Sequence, residues 1–425
     1  MNLKMGDDLL SDLPHSIIES ILMRMPIRDA VKTSVLSSKW RYRWTKITHL
    51  VFDDNMMGID RDPEELELED IEKFITHTLL LHKGPIHRFQ LSVSVLRTCP
   101  DIDQWILYLS RNGVKELILD LEEGDWWRVP SCLFKCGKLV HLELHRCEIY
   151  LPNNFKGFSF LKSLSLYEIV SPPEATEFLI SSCPLLETLS LSYIDNLELH
   201  IEAPMLKYLT LEGEFKDIIL VNTPLLVSVN VCMYMNEDFT EHLGLDRRSI
   251  FDKFLGAMPL LESLFGHVYF TRYLSIGHDL ARLPITFNNL KTVELYQVSF
   301  EDVKEIEVII RLLFSSPVLH TLTVSVSTSS CVSESVERVD WDKEQSVADG
   351  NLEHLRHVKL ELAHLPNELL FVQFLLERSP VLETLKISAC GVAAKAVREK
   401  MLIDLLRFRR ASTRAEIIIL EERKI

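Results

Sequence analysis

The chain is poor in the residues that build flexible connections. Of its 425 residues only 14 are glycine and 17 are proline, which argues against long linkers. Hydrophobic residues make up 47% and charged residues 25% of the chain, the composition of a folded protein. No apolar run approaches the ~20 residues that a membrane-spanning helix needs. We therefore expect no membrane partner.

Positive charge is also scarce, because 46 Lys and Arg stand against 62 Asp and Glu, for a net charge of -16. A nucleic-acid partner would need a basic surface, so we expect none. The eight cysteines are spread singly, which is not a disulfide framework. The N-terminus lacks the basic flank and apolar run of a signal peptide. These features predict a protein of the cytoplasm, the nucleus or both.

Motifs of catalysis and of cofactor binding are missing, including the phosphate-binding Gly-x-x-x-x-Gly-Lys-Ser/Thr, His-Glu-x-x-His and Gly-x-Ser-x-Gly. We therefore expect neither an enzyme nor a cofactor. Five residues have types that suit zinc: Cys132, Cys136, His141, His145 and Cys147. The two histidines alternate with leucines, which predicts exposed strand positions beside Glu143 and no metal site.

Internal repeats are the strongest pattern in the chain. The segments "CPLLETLSL" (183–191), "APMLKYLTL" (203–211) and "SPVLETLKI" (379–387) share the form x-Pro-x-Leu-x-x-Leu-x-Leu. Successive copies end at apolar positions 119, 144, 166, 191, 211 and 231, and the spacing widens after that. A period of ~20–29 residues is typical of leucine-rich repeats. We therefore predict an α/β fold, a leucine-rich-repeat solenoid with a curved parallel sheet and a helical convex side.

Each Leu-x-Leu segment predicts a short strand whose leucines point inward and whose intervening residues point outward. Helices are expected at 172–184 and 367–380. Cys147 and Cys390 follow their strands where such repeats place Asn or Cys, which predicts structural roles for both. The Ser-rich, acidic segment 325–350 is interpreted as a surface loop.

The N-terminal segment is strongly apolar. Asp7–Pro26 predicts an amphipathic helix with Pro14 in its first turn and apolar residues such as Ile18 at helical spacing. Ile27, Ala30, Val31 and Val35 predict a second apolar face. Trp40 and Trp44 are four residues apart, which predicts that they share a face of a third segment. About forty residues are too few to close a core without help. Either this segment caps the solenoid or its apolar face binds a partner.

The segment "LPHSIIESILMRMPIRDAVKTSVLSSKWRYRW" resembles the F-box of plant F-box/LRR proteins, through Leu13-Pro14, the aliphatic residues, Pro26 and the ending at Trp44. His15 and Ser16 replace the acidic residues that are common there. The resemblance implies a small all-α F-box that binds a Skp-type adaptor and, through it, a cullin. Candidate contacts, some of which would instead hold the helices together, are Leu13, Pro14, Ile17, Ile21, Leu22, Pro26, Val31, Leu36 and Trp40.

The C-terminal segments 351–388 and 405–419 resemble the FBD module of the same plant proteins. Trp341 matches the tryptophan that precedes the module, whereas "VADG" (347–350) replaces its usual Val-Pro-x-Cys. We therefore divide the chain into an F-box (1–50), an acidic linker with the start of the array (51–112), leucine-rich repeats (113–350) and an FBD module (351–425).

The resemblance implies a non-catalytic substrate adaptor of a Skp–cullin–F-box ubiquitin ligase. Solenoids bind on their concave face, so outward strand residues are the candidate contacts for an unknown target protein. They are His141, Glu143, His145, Ser163, Ser165, Tyr167, Tyr208, Thr210, Glu212, Thr292, Glu294 and Tyr296. The alternative is a receptor of the same architecture whose repeat array holds a small molecule. It would require a basic and polar cluster on that face, which the sequence does not show.

Overall fold

The structure is a computed structural model that describes residues 13–38, 40–57, 68–94, 96, 101–121, 126–194, 198–215, 217–234, 250–276, 286–326, 350–362, 366–389 and 403–420. The chain divides into two compact units, Met1–Ile194 and Asp195–Ile425, and each is described by itself. Within the described ranges, no helix combines the length and the apolar character that crossing a membrane requires.

The first unit starts with short helices and continues with alternating strands and helices. Its helices are α1 (His15–Leu22), α2 (Ile27–Lys32), α3 (Asp54–Met57), α4 (Leu68–Leu81), α5 (Ile102–Asn112) and α6 (Pro173–Ser181). Its strands are β1 (His49–Asp53), β2 (Arg88–Ser92), β3 (Glu116–Asp120), β4 (Trp127–Arg128), β5 (His141–His145), β6 (Cys147–Glu148), β7 (Ser163–Tyr167) and β8 (Thr188–Ile194). Short 3-10 helices lie at Thr33–Val35, Arg43–Lys46 and Leu133–Lys135.

The main sheet of the first unit is parallel and has the order β1-β2-β3-β5-β7-β8. The repeat leucines are in register, since Leu119 pairs with Leu144, Leu144 with Leu166, and Leu166 with Leu191. All four are at most 1% exposed. The predicted inward ladder is therefore confirmed, and it forms the core of this unit because one repeat cannot bury its apolar edge alone.

The second unit repeats this arrangement with longer insertions. Its helices are α7 (Ile250–Leu255), α8 (Phe270–Leu274), α9 (Val303–Ser315) and α10 (Pro366–Arg378), with a helical turn at 403–407. Its strands are β9 (Glu198–Glu202), β10 (Tyr208–Gly213), β11 (Asp217–Val221), β12 (Ser228–Met233), β13 (Ser263–Val268), β14 (Thr292–Val298), β15 (Thr321–Val326), β16 (His357–Leu362), β17 (Thr384–Ala389) and β18 (Glu416–Leu420).

The main sheet of the second unit has the order β10-β12-β13-β14-β15-β16-β17-β18, and every neighbouring pair is parallel. Its inward positions Leu211, Val231, Leu295 and Leu360 are fully buried. The protein is thus a leucine-rich-repeat solenoid that follows a small helical segment, as the sequence predicts. The spacing of strands widens after β12 because helices such as α9 are inserted between them.

Near the end of several strands, one residue has the left-handed backbone conformation. Arg146, Glu168 and Tyr193 in the first unit have φ of 50°, 49° and 53°, and Val268 and Gln297 in the second have 50° and 57°. Each follows the third outward residue of its strand. This conformation is uncommon for residues other than glycine, so the sequence alone does not reveal these strand ends.

The two predicted helices at 172–184 and 367–380 are observed as α6 and α10. The predicted loop at 325–350 needs correction at its start, because Ser325 and Val326 belong to β15. Residues 327–349 and Cys390 lie outside the described residues. The domain boundaries drawn from the sequence stay a prediction.

Two candidate protein-binding surfaces

The N-terminal helices are shorter than the sequence indicates. The predicted helix over Asp7–Pro26 is observed as α1, which ends at Leu22, while residues 7–12 lie outside the described part. Pro14 and Pro26 stand at the N-cap positions of α1 and α2, with ψ of 145° and 138°. Each proline therefore precedes a helix, because its restricted backbone suits the turn that starts one.

The two faces of α1 separate the roles of its apolar residues. Ile18 and Leu22 are four residues apart and at most 1% exposed, so they hold the core of the segment. Ile17 and Ile21, also four apart, are 45% and 37% exposed. The structure thus divides the predicted adaptor contacts: Leu22 and Trp40 are buried within the chain, whereas Pro14, Ile17, Ile21 and Leu36 are exposed, and Leu13, Pro26 and Val31 are half-buried.

The segment after α2 exposes further apolar side chains. Val35 is expected to extend a buried face, but it is 86% exposed because the chain tightens into a 3-10 helix at Thr33–Val35. Leu36 and Met23 are 59% and 49% exposed. We call Ile17, Ile21, Val35 and Leu36 the F-box apolar surface. Val35 and Met23 are candidate contacts that the sequence pattern did not separate from core residues.

The tryptophan segment joins the helices to the connection between α4 and β2. Trp40 and Trp44 are both 3% exposed, and a left-handed residue, Tyr42, with φ of 65°, lies between them. This segment is therefore a turn and a 3-10 helix rather than a third α-helix. The backbone N–H groups of Lys83 and Gly84 donate to the carbonyl of Thr45. The helices thus pack at the start of the repeats, as a cap would, and still present exposed aliphatic side chains.

The outward face of the first unit carries the six candidates predicted there. His141, Glu143 and His145 on β5 pair in register with Ser163, Ser165 and Tyr167 on β7, and all six are half-buried. These residues lie on one face because side chains alternate along a strand. The structure therefore places them together, as the strand pattern predicts, while their role in binding stays a prediction.

Glu143 is the centre of a hydrogen-bonded group on this face. Its carboxylate lies 3.4 Å from His141 Nε2 and 3.0 Å from His145 Nε2. These hydrogen bonds lower the pKa of Glu143 to about 2. The other nitrogen of His145 lies 3.2 Å from Asp120, and its ring stacks on Tyr167 at 5.1 Å between centroids. Both imidazoles thus engage carboxylates.

The five residues of zinc-binding type lie on different elements, since Cys132 and Cys136 flank the 3-10 helix at Leu133–Lys135. Cys136 and Cys147 are buried, and burial raises the pKa of both thiols, so the thiolate that zinc prefers is disfavoured. Cys147 begins β6, whereas the histidines lie on β5. Across the residues that the structure describes, no three His, Cys, Asp or Glu side chains converge as a metal would require.

The outward face of the second unit carries the remaining six candidates on two strands. Tyr208, Thr210 and Glu212 lie on β10, and Tyr208 is 51% exposed. Thr292, Glu294 and Tyr296 lie on β14 and are half-buried. In the sheet, the strands β12 and β13 lie between the two triplets.

Residues on or just after nearby strands belong to the same face, and the sequence analysis missed them. His267 on β13 stacks on Tyr296, with 4.6 Å between ring centroids. Tyr234 donates a hydrogen bond to Glu212 at 2.8 Å, and Glu361 on β16 accepts one from Lys359 at 2.7 Å. His267 and Glu361 occupy the same outward position as His145 in the repeat. Aligning the degenerate repeats would have found them.

Known proteins share these features over most of the chain. An F-box domain profile matches residues 10–49. A profile described as "FBD-associated F-box protein At5g56370, LRR repeats" matches residues 102–243.

Three relatives from Arabidopsis thaliana align over nearly the full length. "F-box/FBD/LRR-repeat protein At1g13570" is 52% identical over 418 residues, which cover 98% of this chain and 99% of the relative. "FBD-associated F-box protein At5g22730" is 27% identical, over 97% of this chain and 94% of its own. "FBD-associated F-box protein At1g66310" is 29% identical, with coverages of 97% and 96%.

Proposed function

The chain belongs to the F-box/FBD/LRR-repeat family, and from this premise we propose that it is a substrate-recognition subunit of a Skp–cullin–F-box ubiquitin ligase. In this role the F-box binds a Skp-type adaptor, and the adaptor joins the chain to a cullin. The leucine-rich repeats hold a target protein near the ubiquitin-charged enzyme. The chain itself carries out no chemistry, and it works in the cytosol or the nucleus.

The observation that carries the proposal is the F-box apolar surface. Ile17, Ile21, Val35 and Leu36 expose between 37% and 86% of their surface, although Ile18 and Leu22 beside them are fully buried. Exposed aliphatic area costs about 25 cal/mol per Å² relative to its burial. Ile17 and Ile21 lie one turn apart on α1, and Val35 and Leu36 are adjacent in the chain. A partner that covers these side chains recovers that free energy.

The second surface is the outward face of the repeat strands. Its side chains are polar, aromatic and charged, and groups of this kind favour specific recognition through complementary charge and hydrogen bonds. Family membership and solenoid architecture support a protein target on this face. The target's identity is open to experiment.

The adaptor interaction is tested by co-purification of the full chain with a Skp-type adaptor. We expect the double variant Ile17→Asp, Leu36→Asp to lose the adaptor, because two carboxylates would have to be desolvated in the contact. The matched control is Leu80→Asp on α4, since Leu80 is 70% exposed and lies outside the F-box. The control should bind as the unmodified chain does. Undiminished binding by the double variant with an unchanged melting temperature would contradict the proposal.

The target-binding role is tested by affinity purification with proteasomal turnover blocked. We expect an adaptor, a cullin and ubiquitinated proteins to be recovered with the unmodified chain. The Ile17→Asp, Leu36→Asp variant should retain the ubiquitination target while losing the adaptor and cullin. Recovery that depends on an added small molecule would instead favour a ligand-dependent receptor.

A further inference from the structure

Aromatic rings and carboxylates are concentrated on the outward face of the second unit, between β10 and β16. We call this group the aromatic–carboxylate patch. Three of its residues are in direct contact, because Tyr296 stacks on His267 of the neighbouring strand and donates a hydrogen bond to Glu294, two residues before it on β14, at 2.6 Å. All of its members are half-buried, so part of each side chain meets solvent. The patch consists of Glu212, Tyr234, His267, Glu294, Tyr296 and Glu361.

The aromatic part of the patch is held in a fixed orientation. The rings of His267 and Tyr296 are nearly parallel, at 12° and 4.6 Å. The hydrogen bond from Tyr296 to Glu294 and that from Tyr234 to Glu212 hold both phenol groups. Rings that are already positioned lose little conformational freedom when a ligand stacks on them. The patch is therefore preorganised.

The charge of the patch is negative. Of its three carboxylates, Glu361 is paired with the ammonium group of Lys359, and within the described part of the chain no lysine or arginine forms an ion pair with Glu212 or Glu294. Burial lowers the pKa of His267 although Glu294 and Glu212 act in the opposite direction, which favours the neutral imidazole. The patch also cannot gain charge from Tyr296, since burial and Glu294 raise the pKa of this phenol to about 12.

Small residues separate the two sides of the patch. Thr323 and Ser325 on β15 lie between Tyr296 on β14 and Glu361 on β16, and both are at most 9% exposed. Neighbouring strands lie ~4.8 Å apart, so β14 and β16 are ~10 Å apart. That distance suits a flat cationic group with a ring on one side and a carboxylate on the other.

We infer that the aromatic–carboxylate patch binds an arginine side chain in an exposed basic segment of the target protein. This inference rests on the proposed function, since it names the chemical class of the segment that the repeats recognise. A guanidinium group stacks on aromatic faces and pairs with carboxylates through two parallel hydrogen bonds. A lysine ammonium group lacks both the flat face and the fork, so arginine is preferred.

Anionic ligands do not suit this surface. The bases on the outward positions of this sheet are Lys359 and Lys386, on β16 and β17 at one end, and Lys359 is already paired with Glu361. No lysine or arginine lies at an outward position of β10, β12, β13 or β14, all of which the structure describes, so an acidic or phosphorylated segment would meet the carboxylates of Glu212 and Glu294 there. Binding of such a segment is therefore an outcome against the inference.

The test uses the full chain and fluorescein-labelled nonapeptides measured by fluorescence anisotropy. One peptide carries two arginines among glycine and serine, and the others carry lysine, citrulline or glutamate at the same positions. We expect the arginine peptide to bind at least fivefold more tightly than the lysine peptide. The citrulline and glutamate peptides should show no saturable binding. Equal binding of the arginine and lysine peptides would show charge attraction alone and would overturn the inference.

Two variants locate the binding site on the chain. The double variant Glu294→Gln, Glu361→Gln keeps the side-chain shapes but removes two charges, and we expect it to weaken arginine-peptide binding at least tenfold. The matched control is Glu262→Gln, a carboxylate of the same unit whose side chain is 42% exposed and bonded to Lys291 at 2.8 Å. The control should change binding by less than twofold. Equal losses in both variants would overturn the inference.

Adaptor binding distinguishes this inference from the proposed function. The Glu294→Gln, Glu361→Gln variant should co-purify with the Skp-type adaptor as the unmodified chain does and should keep its melting temperature. Failure of the unmodified chain to bind an adaptor would refute the proposed function. Normal adaptor binding without arginine-peptide binding would refute the inference alone.

Discussion

The F-box apolar surface and the strand face of the second unit expose opposite chemistries. The F-box exposes aliphatic side chains, and its described residues 13–38 and 40–49 bury no charged group. The second unit exposes carboxylates and aromatic rings, and it buries charged groups such as Glu305 and Arg311 within its helices. Apolar contact is non-directional and suits one constant partner. Polar contact discriminates between partners, so the difference fits a common adaptor and an individual target.

The largest effect is expected for a buried residue of a repeat strand. Comparing it with its outward neighbour tests whether inward residues carry stability while outward residues are free for recognition. Leu191 on β8 is fully buried, whereas Ser190 beside it points outward and is half-buried. We expect Leu191→Ala to lower the free energy of unfolding by ~2–5 kcal/mol. Ser190→Arg should change it by about 0.5 kcal/mol or less. Chemical denaturation of both variants measures this difference, and earlier unfolding of the arginine variant would show that outward positions also carry the fold.

The buried charge of the second unit provides the next test. Burial raises the pKa of Glu305 on α9 to about 7, although hydrogen bonds from Thr271 and from the Ser299 N–H lower it. Since the folded pKa lies above the unfolded one, the contribution of Glu305 to stability is fully present below pH 4.5 and is lost as the pH rises to 7. The total loss is on the order of 3 kcal/mol.

The variant Glu305→Gln keeps an acceptor for Thr271 and Ser299 but cannot ionise. We expect it to remove this part of the pH dependence, so that its advantage over the unmodified chain grows between pH 5 and pH 8. Urea unfolding at both values measures the change. Parallel stability curves for the two proteins would mean that the carboxyl of Glu305 is already ionised in the folded protein over this whole range.

The F-box offers a third test, on two isoleucines that are adjacent in the chain. Ile17 is 45% exposed and Ile18 is 1% exposed. We expect Ile17→Ala to change the free energy of unfolding by about 1 kcal/mol or less and to weaken adaptor binding about tenfold. Ile18→Ala should destabilise the segment by ~2–5 kcal/mol. Calorimetry and adaptor titration together measure both effects, and a larger binding loss from Ile18→Ala in folded protein would reverse the assignment of the two faces.

The repeat strands could be predicted from the sequence because alternation along a strand is a local property. Leu189 and Leu191 have the Leu-x-Leu spacing of the repeat pattern. This spacing alone places both side chains on the same face of the strand. The exposure of Val35 could not be predicted, because it depends on a 3-10 turn and on which neighbours fill the F-box core. The stack of His267 on Tyr296 joins repeats of unequal length, so a fixed period does not align them. The F-box could be predicted from its resemblance to a known family. Which of its apolar residues are buried and which are exposed depends on tertiary packing, which the sequence does not show.

The smallest expected effect concerns the charges on the outward face, at Glu143. Its hydrogen bonds to His141 and His145 lower the pKa of Glu143 to about 2. Its contribution to stability is therefore present above pH 4.5 and declines as the pH falls toward 2. Solvent screens this half-exposed group, and the imidazoles are charged only when protonated, so the contribution should be about 1 kcal/mol or less.

We expect Glu143→Gln to unfold within about 1 kcal/mol of the unmodified chain at pH 7, with a smaller difference at pH 3.5. The control is Leu144→Ala on the opposite face of β5, where Leu144 is 1% exposed, and where a loss of ~2–5 kcal/mol is expected. Urea unfolding of the three proteins at both pH values makes the measurement. A loss at Glu143 as large as that at Leu144 would mean that the charged face is needed for folding. The residues of this face would then be constrained by folding and could not be adapted to a target protein. The contrast between this face and the F-box apolar surface would then no longer indicate two kinds of partner.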